Sequence, residues 1–149
     1  MHKIIKLLLI LLFFSVQIKA QHTNLAKASA LYSEEKYSAA QALFRQLIID
    51  ERTNEQANYY NAKCSKELFA SDAIFLYEQF LLAFPYTSFT EQVNEDLALL
   101  YFRDLDYPKA IKYFLQFNSI ERHPDLVFKL AYANFSIDSL VDAQYYFSK

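Results

Sequence analysis

The stretch that decides the fold runs from Ala98 to Phe117 and reads ALLYFRDLDYPKAIKYFLQF. It has two apolar runs separated by a short polar segment. In the second run, Tyr107, Ala110 and Phe114 follow one another at intervals of three and four residues. Such intervals place side chains on one face of an α-helix. The stretch therefore predicts two helices joined by a tight turn, with small residues where the helices approach each other.

The same pattern occurs four times along the chain. The second helix of each copy carries an alanine, and successive alanines are 33, 37 and 33 residues apart. An aromatic residue follows each alanine four positions later. These pairs are Ala40 and Phe44, Ala73 and Tyr77, Ala110 and Phe114, and Ala143 and Phe147. The first helix carries a small residue 12 positions before that alanine in three copies and 11 positions before it in the second copy: Ala28, Ala62, Ala98 and Ala131. One turn is therefore predicted to be a residue shorter in the second copy.

This pattern resembles the tetratricopeptide repeat (TPR) family, whose repeat is about 34 residues long. The motifs that carry the resemblance are Tyr37-x-x-Ala40-x-x-x-Phe44 and Tyr107-x-x-Ala110-x-x-x-Phe114, whereas Ala70 and Leu140 replace the tyrosine in copies two and four. The family's first-helix glycine is alanine here, and its closing proline occurs once, as Pro85. The resemblance covers residues 24–149. It implies an all-α, right-handed solenoid of antiparallel helix pairs, with about four repeats near 23–50, 54–85, 89–118 and 124–149, the last one incomplete.

Composition points to helices without reference to any family. The 149 residues include no glycine and three prolines, and 54% of them are hydrophobic. Turns that need positive φ are hard to build without glycine, so hairpin-rich β folds and glycine-loop nucleotide folds are disfavoured. Capping boxes are predicted at Thr53-x-x-Gln56 and Ser88-x-x-Glu91. The predicted helices lie near 23–33, 37–50, 54–67, 70–84, 89–103, 107–118, 124–136 and 140–149.

Residues 1–20 have the features of a secretory signal peptide. Lys3 and Lys6 precede an apolar run from Leu7 to Phe14, and Ile18-Lys19-Ala20 suits cleavage after Ala20. The run is shorter than the roughly 20 residues that span a membrane, and an uncleaved anchor is the alternative. Removal of three lysines leaves a mature domain, 21–149, that is acidic, which argues against nucleic-acid binding. We expect export to the periplasm or cell envelope of a Gram-negative bacterium.

No arrangement of residues typical of catalysis is present, and we expect a protein that is not an enzyme. Without glycine there is no phosphate-cradling loop, dinucleotide fingerprint or nucleophile elbow. The mature histidines, His22 and His123, and the single cysteine, Cys64, are far apart in sequence, so no metal or cofactor site is predicted. Cys64 is expected to be a small buried residue, and Glu34 and Glu35 to be a solvated helix end.

In the TPR family the first helices line a groove that binds partners. The resemblance transfers that role to a mixture of aromatic residues, cations and one acid: Tyr32, Tyr59, Lys63, Lys66, Glu95, Phe102, Arg103, Phe128, Tyr132 and Phe135. Aromatic anchors with nearby cations suit an extended peptide. The family's carboxylate-clamp pattern is not reproduced, because Leu25 and Ser29 occupy its positions. The alternative is that these rings only pack between repeats.

The resulting hypothesis is an exported scaffold that binds a protein or an extended peptide, with no nucleic acid and no evident small-molecule substrate. It resembles the amino-terminal repeats of long exported TPR proteins, and the turn Phe84-Pro85-Tyr86-Thr87-Ser88 resembles one in periplasmic proteins of outer-membrane assembly or envelope division. The alternatives are a spacer that positions a downstream domain and an accessory factor of outer-membrane assembly or division. Because the last predicted helix has no polar cap, we expect either a longer protein or docking of a C-terminal domain or an oligomer partner there.

Overall fold

The computed structural model describes residues 24–50, 54–118 and 120–149, and this part of the chain is all-α, without β-strands. The predicted signal peptide lies outside the described residues. Eight α-helices and one short 3₁₀ helix are described: α1 over residues 24–33, α2 Tyr37–Asp50, α3 Glu55–Glu67, α4 Ala73–Ala83, α5 Thr90–Arg103, α6 Tyr107–Gln116, the 3₁₀ helix Ile120–Arg122, α7 Pro124–Ser136 and α8 Leu140–Phe147.

The helix boundaries agree with the predicted ones to within three residues, but the residues that cap two of the helix starts are not the predicted ones. Helix α3 begins after Asn54, whose side chain accepts a hydrogen bond from the Ala57 amide at 2.9 Å; Thr53, the predicted cap, lies outside the described residues. The capping box at Ser88 is wrong. The cap residue of α5 is Phe89, which has no side-chain cap hydrogen bond, while the Thr87 hydroxyl accepts the Phe89 amide hydrogen bond at 3.1 Å.

The turn inside each of the four sequence copies has the same backbone geometry. Glu35, Phe69, Leu105 and Asp138 all have φ between 53° and 62°. At Leu105 the amide donates to the Phe102 carbonyl at 3.1 Å, and the next amide, of Asp106, donates to the Tyr101 carbonyl at 2.9 Å. These two bonds are those of a Schellman helix end, which normally uses glycine. Positive φ is therefore built here without glycine, contrary to what the composition suggested.

The prediction of a shorter turn in the second copy is wrong. Five residues, 68–72, separate α3 from α4, whereas three residues separate the two helices of each other copy. Only the interval from the positive-φ residue to the alanine is shorter, because Phe69 lies four positions before Ala73 and Leu105 lies five positions before Ala110. A further turn, in which the Ala73 amide donates to the Ala70 carbonyl at 3.3 Å, precedes α4, so this helix begins three residues later than predicted. The Schellman bonds are retained, because the Ala70 amide donates to the Ser65 carbonyl at 2.9 Å.

The chain divides into two compact units, which meet in sequence between Leu76 and Tyr77. In the first unit, α2 packs on α3, and the core contains the two small residues Ala28 and Ala40 together with Phe44 and Cys64. All four side chains are fully buried. The expectation that Cys64 is a core residue is confirmed, and burial raises the pKa of its thiol to about 11.

In the second unit, α5 packs on α6, α6 on α7, and α7 on α8. Ala98 and Ala110 are fully buried, as are Phe114 and Leu130. The alanines permit close approach of the helices, and Phe114 fills the space beside them. Pro108 and Pro124 lie in the first turns of α6 and α7, where a missing N–H costs little. In the described residues, no helix has the length and apolarity needed to cross a bilayer.

Candidate functional site

Three of the predicted groove residues meet in the first unit, around a tyrosine that the sequence analysis did not select. Tyr60 of α3 lies edge-on to Tyr32 of α1, with ring centroids 5.0 Å apart, and edge-on to its neighbour Tyr59 at 5.2 Å. The Lys63 ammonium lies 5.8 Å from the Tyr32 centroid and 5.6 Å from that of Tyr59. The arrangement is an aromatic cluster with one cation held against two ring faces.

In this cluster the Tyr32 hydroxyl is held in its neutral form. Partial burial, followed by the Glu67 carboxylate, raises the pKa of Tyr32 far above its ordinary value. Tyr59 is buried, whereas Tyr32 and Lys63 are partly exposed. Lys66 lies next along α3 and pairs with Glu67 at 3.4 Å. The cluster can therefore offer a ligand an apolar ring edge and an ammonium group side by side.

A second aromatic cluster lies in the second unit. Phe102 near the end of α5 contacts Tyr132 of α7, with centroids 5.9 Å apart, and Tyr107 at the start of α6, at 5.7 Å. Tyr107 and Tyr132 also contact each other at 6.1 Å. Tyr132 is exposed, so this cluster both joins helices and presents a ring to solvent.

The remaining predicted groove residues of the second unit do not join that cluster. Phe128 contacts Phe147 of α8, with ring centroids 5.6 Å apart, and Phe135 lies at the end of α7. The side chains of Phe128 and Phe135 are each more than half exposed. Arg103 is exposed and pairs with its neighbour Asp104 at 2.8 Å, and Glu95 is partly buried on α5. The predicted set therefore falls into two clusters, one in each unit, and several separate positions.

The sequence analysis missed Tyr37, Tyr60 and Tyr107, which complete the two clusters. Tyr37 and Tyr107 were recognised only as motif residues, because they begin the second helices. A signal for Tyr60 existed in the dipeptide Tyr59-Tyr60, since a helix turns the two neighbouring rings to different faces. Tyr60 is the residue that meets the preceding helix pair, through Tyr32 and Phe44.

The second unit contains a further polar cluster that no motif indicated. Glu78 accepts hydrogen bonds from the hydroxyls of Tyr101, at 2.6 Å, and Tyr113, at 3.4 Å. The two rings are stacked 5.6 Å apart, and Lys109 and Lys112 lie over them. Glu78 and Tyr113 also line an open cavity of about 300 Å³. Burial, then the Glu78 bond, raises the pKa of Tyr101, so its hydroxyl remains a donor at neutral pH.

Nothing in the described residues brings three His, Cys, Asp or Glu side chains together in a way that could hold a metal ion. The contacts described above are made by aromatic rings, hydroxyls and single charges. Comparison with protein-family models gives no match for this chain, and comparison with curated proteins gives none either.

Proposed function

We propose that this chain is a TPR-type scaffold that binds an extended segment of another protein along the first helices of its repeats. The observation that carries the proposal is the fourfold recurrence of one turn, with a positive-φ residue at Glu35, Phe69, Leu105 and Asp138. Each such turn joins a first helix to a second helix that contains a buried alanine. A recurrent helix–turn–helix unit that packs on its neighbours is the architecture of helical repeat proteins.

The proposed binding residues share a chemistry suited to a peptide with aromatic or acidic side chains. Tyr32 and Tyr132 present partly exposed rings, which can bury apolar side chains of a ligand at little entropic cost. The Lys63 ammonium lies 5.8 Å from the Tyr32 centroid, and Arg103 is the neighbour in sequence of Phe102, which contacts Tyr132. Such cations can meet carboxylates or peptide carbonyls. Each unit carries one such ring and one such cation.

Export completes the proposal and rests on the sequence of residues 1–20. An exported scaffold would meet its partner in the periplasm or at the cell envelope. A fusion of residues 1–22 to a reporter enzyme that is active only outside the cytoplasm should be active in a Gram-negative host. Replacement of Leu8, Leu9 and Leu11 by Asp should abolish that activity, because an apolar run is needed for export. Equal activity of the two fusions would contradict export.

Peptide binding can be tested with a displayed peptide library panned on residues 21–149. We expect enrichment of peptides with aromatic and acidic residues, and fluorescence anisotropy should show that Lys63→Ala and Arg103→Ala each weaken binding about tenfold, the effect of losing about 1.4 kcal/mol. Lys112→Ala is the matched control, since Lys112 is an exposed cation on a second helix, and it should leave the affinity unchanged. Failure to enrich any sequence, or equal losses in all three variants, would contradict the proposal.

A further inference from the structure

The open cavity beside Glu78 lies on a surface that the proposed function leaves unused. It has a volume of about 300 Å³ and is lined by Glu78, Gln79, Leu81 and Leu82 of α4 and by Tyr113 of α6. All five residues belong to the second unit. Because α4 and α6 are second helices, this cavity is separate from the peptide groove proposed along the first helices.

The Glu78 carboxylate is held in the wall of the cavity through one of its two oxygens. The hydroxyls of Tyr101 and Tyr113 both donate to Oε1, at 2.6 Å and 3.4 Å. Burial, followed by the Glu78 charge, raises the pKa of Tyr113, so its hydroxyl keeps the proton that it donates. Among the described residues, no hydrogen bond or ion pair is made to Oε2. The carboxylate is therefore oriented in advance, with one charged oxygen left for a ligand.

The other groups in the wall add acceptors and an apolar surface. The proton of the Tyr113 hydroxyl is engaged with Glu78, so its oxygen has lone pairs to offer. Gln79 is exposed and can present its amide oxygen. Leu81 and Leu82 supply the apolar part, and Leu82 is 75% exposed. A matching ligand has several N–H donors, a positive charge and an apolar stem.

Two lysines lie near the tyrosine pair, but neither lines the cavity. Lys109 pairs with Asp106 at 3.0 Å, which balances its charge locally. Lys112 is exposed, and its ammonium lies 5.0 Å from the centroid of the Tyr113 ring. An exposed charge is screened by water and salt more strongly than a partly buried one. A cation inside the cavity therefore meets the Glu78 carboxylate at closer range than it meets an opposing charge.

We infer that this cavity binds an arginine side chain of a different protein, whose guanidinium donates to Oε2 of Glu78 and whose alkyl stem packs on Leu81 and Leu82. A guanidinium is specified because it presents several N–H donors in one plane and is less strongly hydrated than an ammonium group. A polypeptide is specified because the cavity is open, whereas sites for free small molecules bury about 70–90% of the ligand surface. Residues beside the arginine would cover the exposed Leu82.

A second copy of the chain is a poorer source of the arginine. Arg45 is already paired with Asp72 at 3.4 Å, and Arg103 is paired with Asp104 at 2.8 Å. Transfer of either arginine to another copy would leave a carboxylate without its partner. The inference does not depend on the proposed peptide groove, because it uses other residues on other helices.

The probe is a synthetic library of seven-residue peptides that has arginine at the central position and mixed residues elsewhere. Peptides retained by the purified chain are identified by mass spectrometry, remade with a fluorescent label and measured by anisotropy. Replacement of the arginine by citrulline, which keeps the shape and removes the charge, should weaken binding at least about tenfold. Replacement by lysine should also weaken it. Retention of no peptide overturns the inference, as does equal binding of the citrulline or the lysine peptide.

Variants of the protein locate the binding site. Glu78→Gln keeps an acceptor for the two tyrosines but removes the charge, and it should weaken binding at least about tenfold. Glu121→Gln is the matched control, because Glu121 is an exposed acid of the same unit that does not line the cavity. Leu82→Lys should also weaken binding, whereas Leu115→Lys should not, since Leu115 is an exposed leucine of α6 outside the cavity wall. Circular dichroism would verify that each variant keeps its helix content.

Three results would assign the arginine to another place and overturn the inference. Lys112→Ala should strengthen binding about twofold by removing a like charge, and weaker binding would show that the peptide meets Lys112 instead. Loss of binding in Glu95→Gln but not in Glu78→Gln would place the arginine on the first helices, which would support the peptide groove and not this cavity. Self-association of the chain that Glu78→Gln abolishes would identify a second copy as the source of the arginine.

Discussion

In the first unit a series of amide and hydroxyl groups links α2, α3 and the start of α4, whereas in the second unit tyrosine hydroxyls donate to carboxylates. Gln41 donates to the Asn61 carbonyl at 3.3 Å and to the Ser65 hydroxyl at 3.2 Å, and Ser65 in turn donates to Asp72. In the second unit Tyr77 donates to Asp96 at 2.6 Å. Tyr101 makes the equivalent bond to Glu78, also at 2.6 Å.

The difference shows that one helical framework accepts two chemistries for its polar interior. Hydrogen bonds between neutral groups contribute about 0.5–1.5 kcal/mol each, and those to charged groups about 1.5–3 kcal/mol. Much of the first unit's network joins neutral groups, whereas the second unit depends on ionised carboxylates beside protonated phenols. The second unit is therefore expected to respond more strongly to loss of a single hydroxyl.

The largest effects are expected where the two units are alike. Phe44→Ala and Phe114→Ala each remove a fully buried ring beside a second-helix alanine, and each should lower the free energy of unfolding by about 3–5 kcal/mol. Urea unfolding followed by circular dichroism would measure this. Phe147→Ala, at the equivalent position four residues after Ala143, should cost about 1 kcal/mol or less because its ring is already half exposed. Equal costs at all three positions would contradict their different burial.

The second prediction compares the two polar interiors directly. Tyr77→Phe removes the hydroxyl that donates a hydrogen bond to Asp96, and it should lower the free energy of unfolding by about 2 kcal/mol. Gln41→Leu should cost about 1 kcal/mol, since it removes only hydrogen bonds to neutral groups, the Asn61 carbonyl and the Ser65 hydroxyl. Urea midpoints of the two variants decide the order, and a larger loss in Gln41→Leu would reverse the interpretation of the two networks.

The third prediction is a stabilisation that both units should share. Phe69 and Leu105 have positive φ and exposed side chains. Glycine adopts positive φ without the steric strain caused by a Cβ atom, so Phe69→Gly and Leu105→Gly should each raise the free energy of unfolding by about 1 kcal/mol. Leu115→Gly is the matched control, because Leu115 is an exposed leucine inside α6, where glycine should destabilise by about 1 kcal/mol. The same sign for Leu105→Gly and Leu115→Gly would show that the backbone strain is not relieved.

The smallest expected effect is the pH dependence. The pKa of Cys64 is raised to about 11 by burial and by Glu67, and the Tyr101 pKa is also raised. Because the folded chain holds these protons more tightly than the unfolded chain, their stabilisation is complete below about pH 8.5, the ordinary thiol pKa, and is lost as the pH rises towards the folded values. Stability measured from pH 8.5 to 11 should therefore fall less steeply in Cys64→Ala and in Tyr101→Phe than in the parent chain.

Local spacing was sufficient to predict the helices and the buried alanines, but the five-residue segment between α3 and α4 contradicts the shorter turn predicted for the second copy. Ala40, Phe44 and Cys64 are core residues, as their periodicity and residue types indicated. The positive-φ residues could not be predicted, because Leu105 and Phe69 have no intrinsic preference for that conformation. Their geometry follows from the Schellman bonds, which the surrounding helices impose.

The site was predicted less completely than the fold, since it depends on which helices pack and in what register. Lys63 was selected as a groove candidate by position, but its placement against the rings of Tyr32 and Tyr59 requires the orientation of α3 on α1. The tyrosine–carboxylate bonds join residues 19 and 23 positions apart. Sequence periodicity describes one helix at a time and contains no information on such pairs.

The four positive-φ turn residues also define a set of attachment points. Their side chains are exposed and carry no shared identity, being Glu35, Phe69, Leu105 and Asp138. A cysteine-free background with a single cysteine at each position in turn would therefore accept a spectroscopic label without disturbing the core. Spin or fluorescent labels placed at two of these positions would report the distance between two sequence copies. Measured for successive pairs, these distances would give the spacing and bending of the copies along the chain.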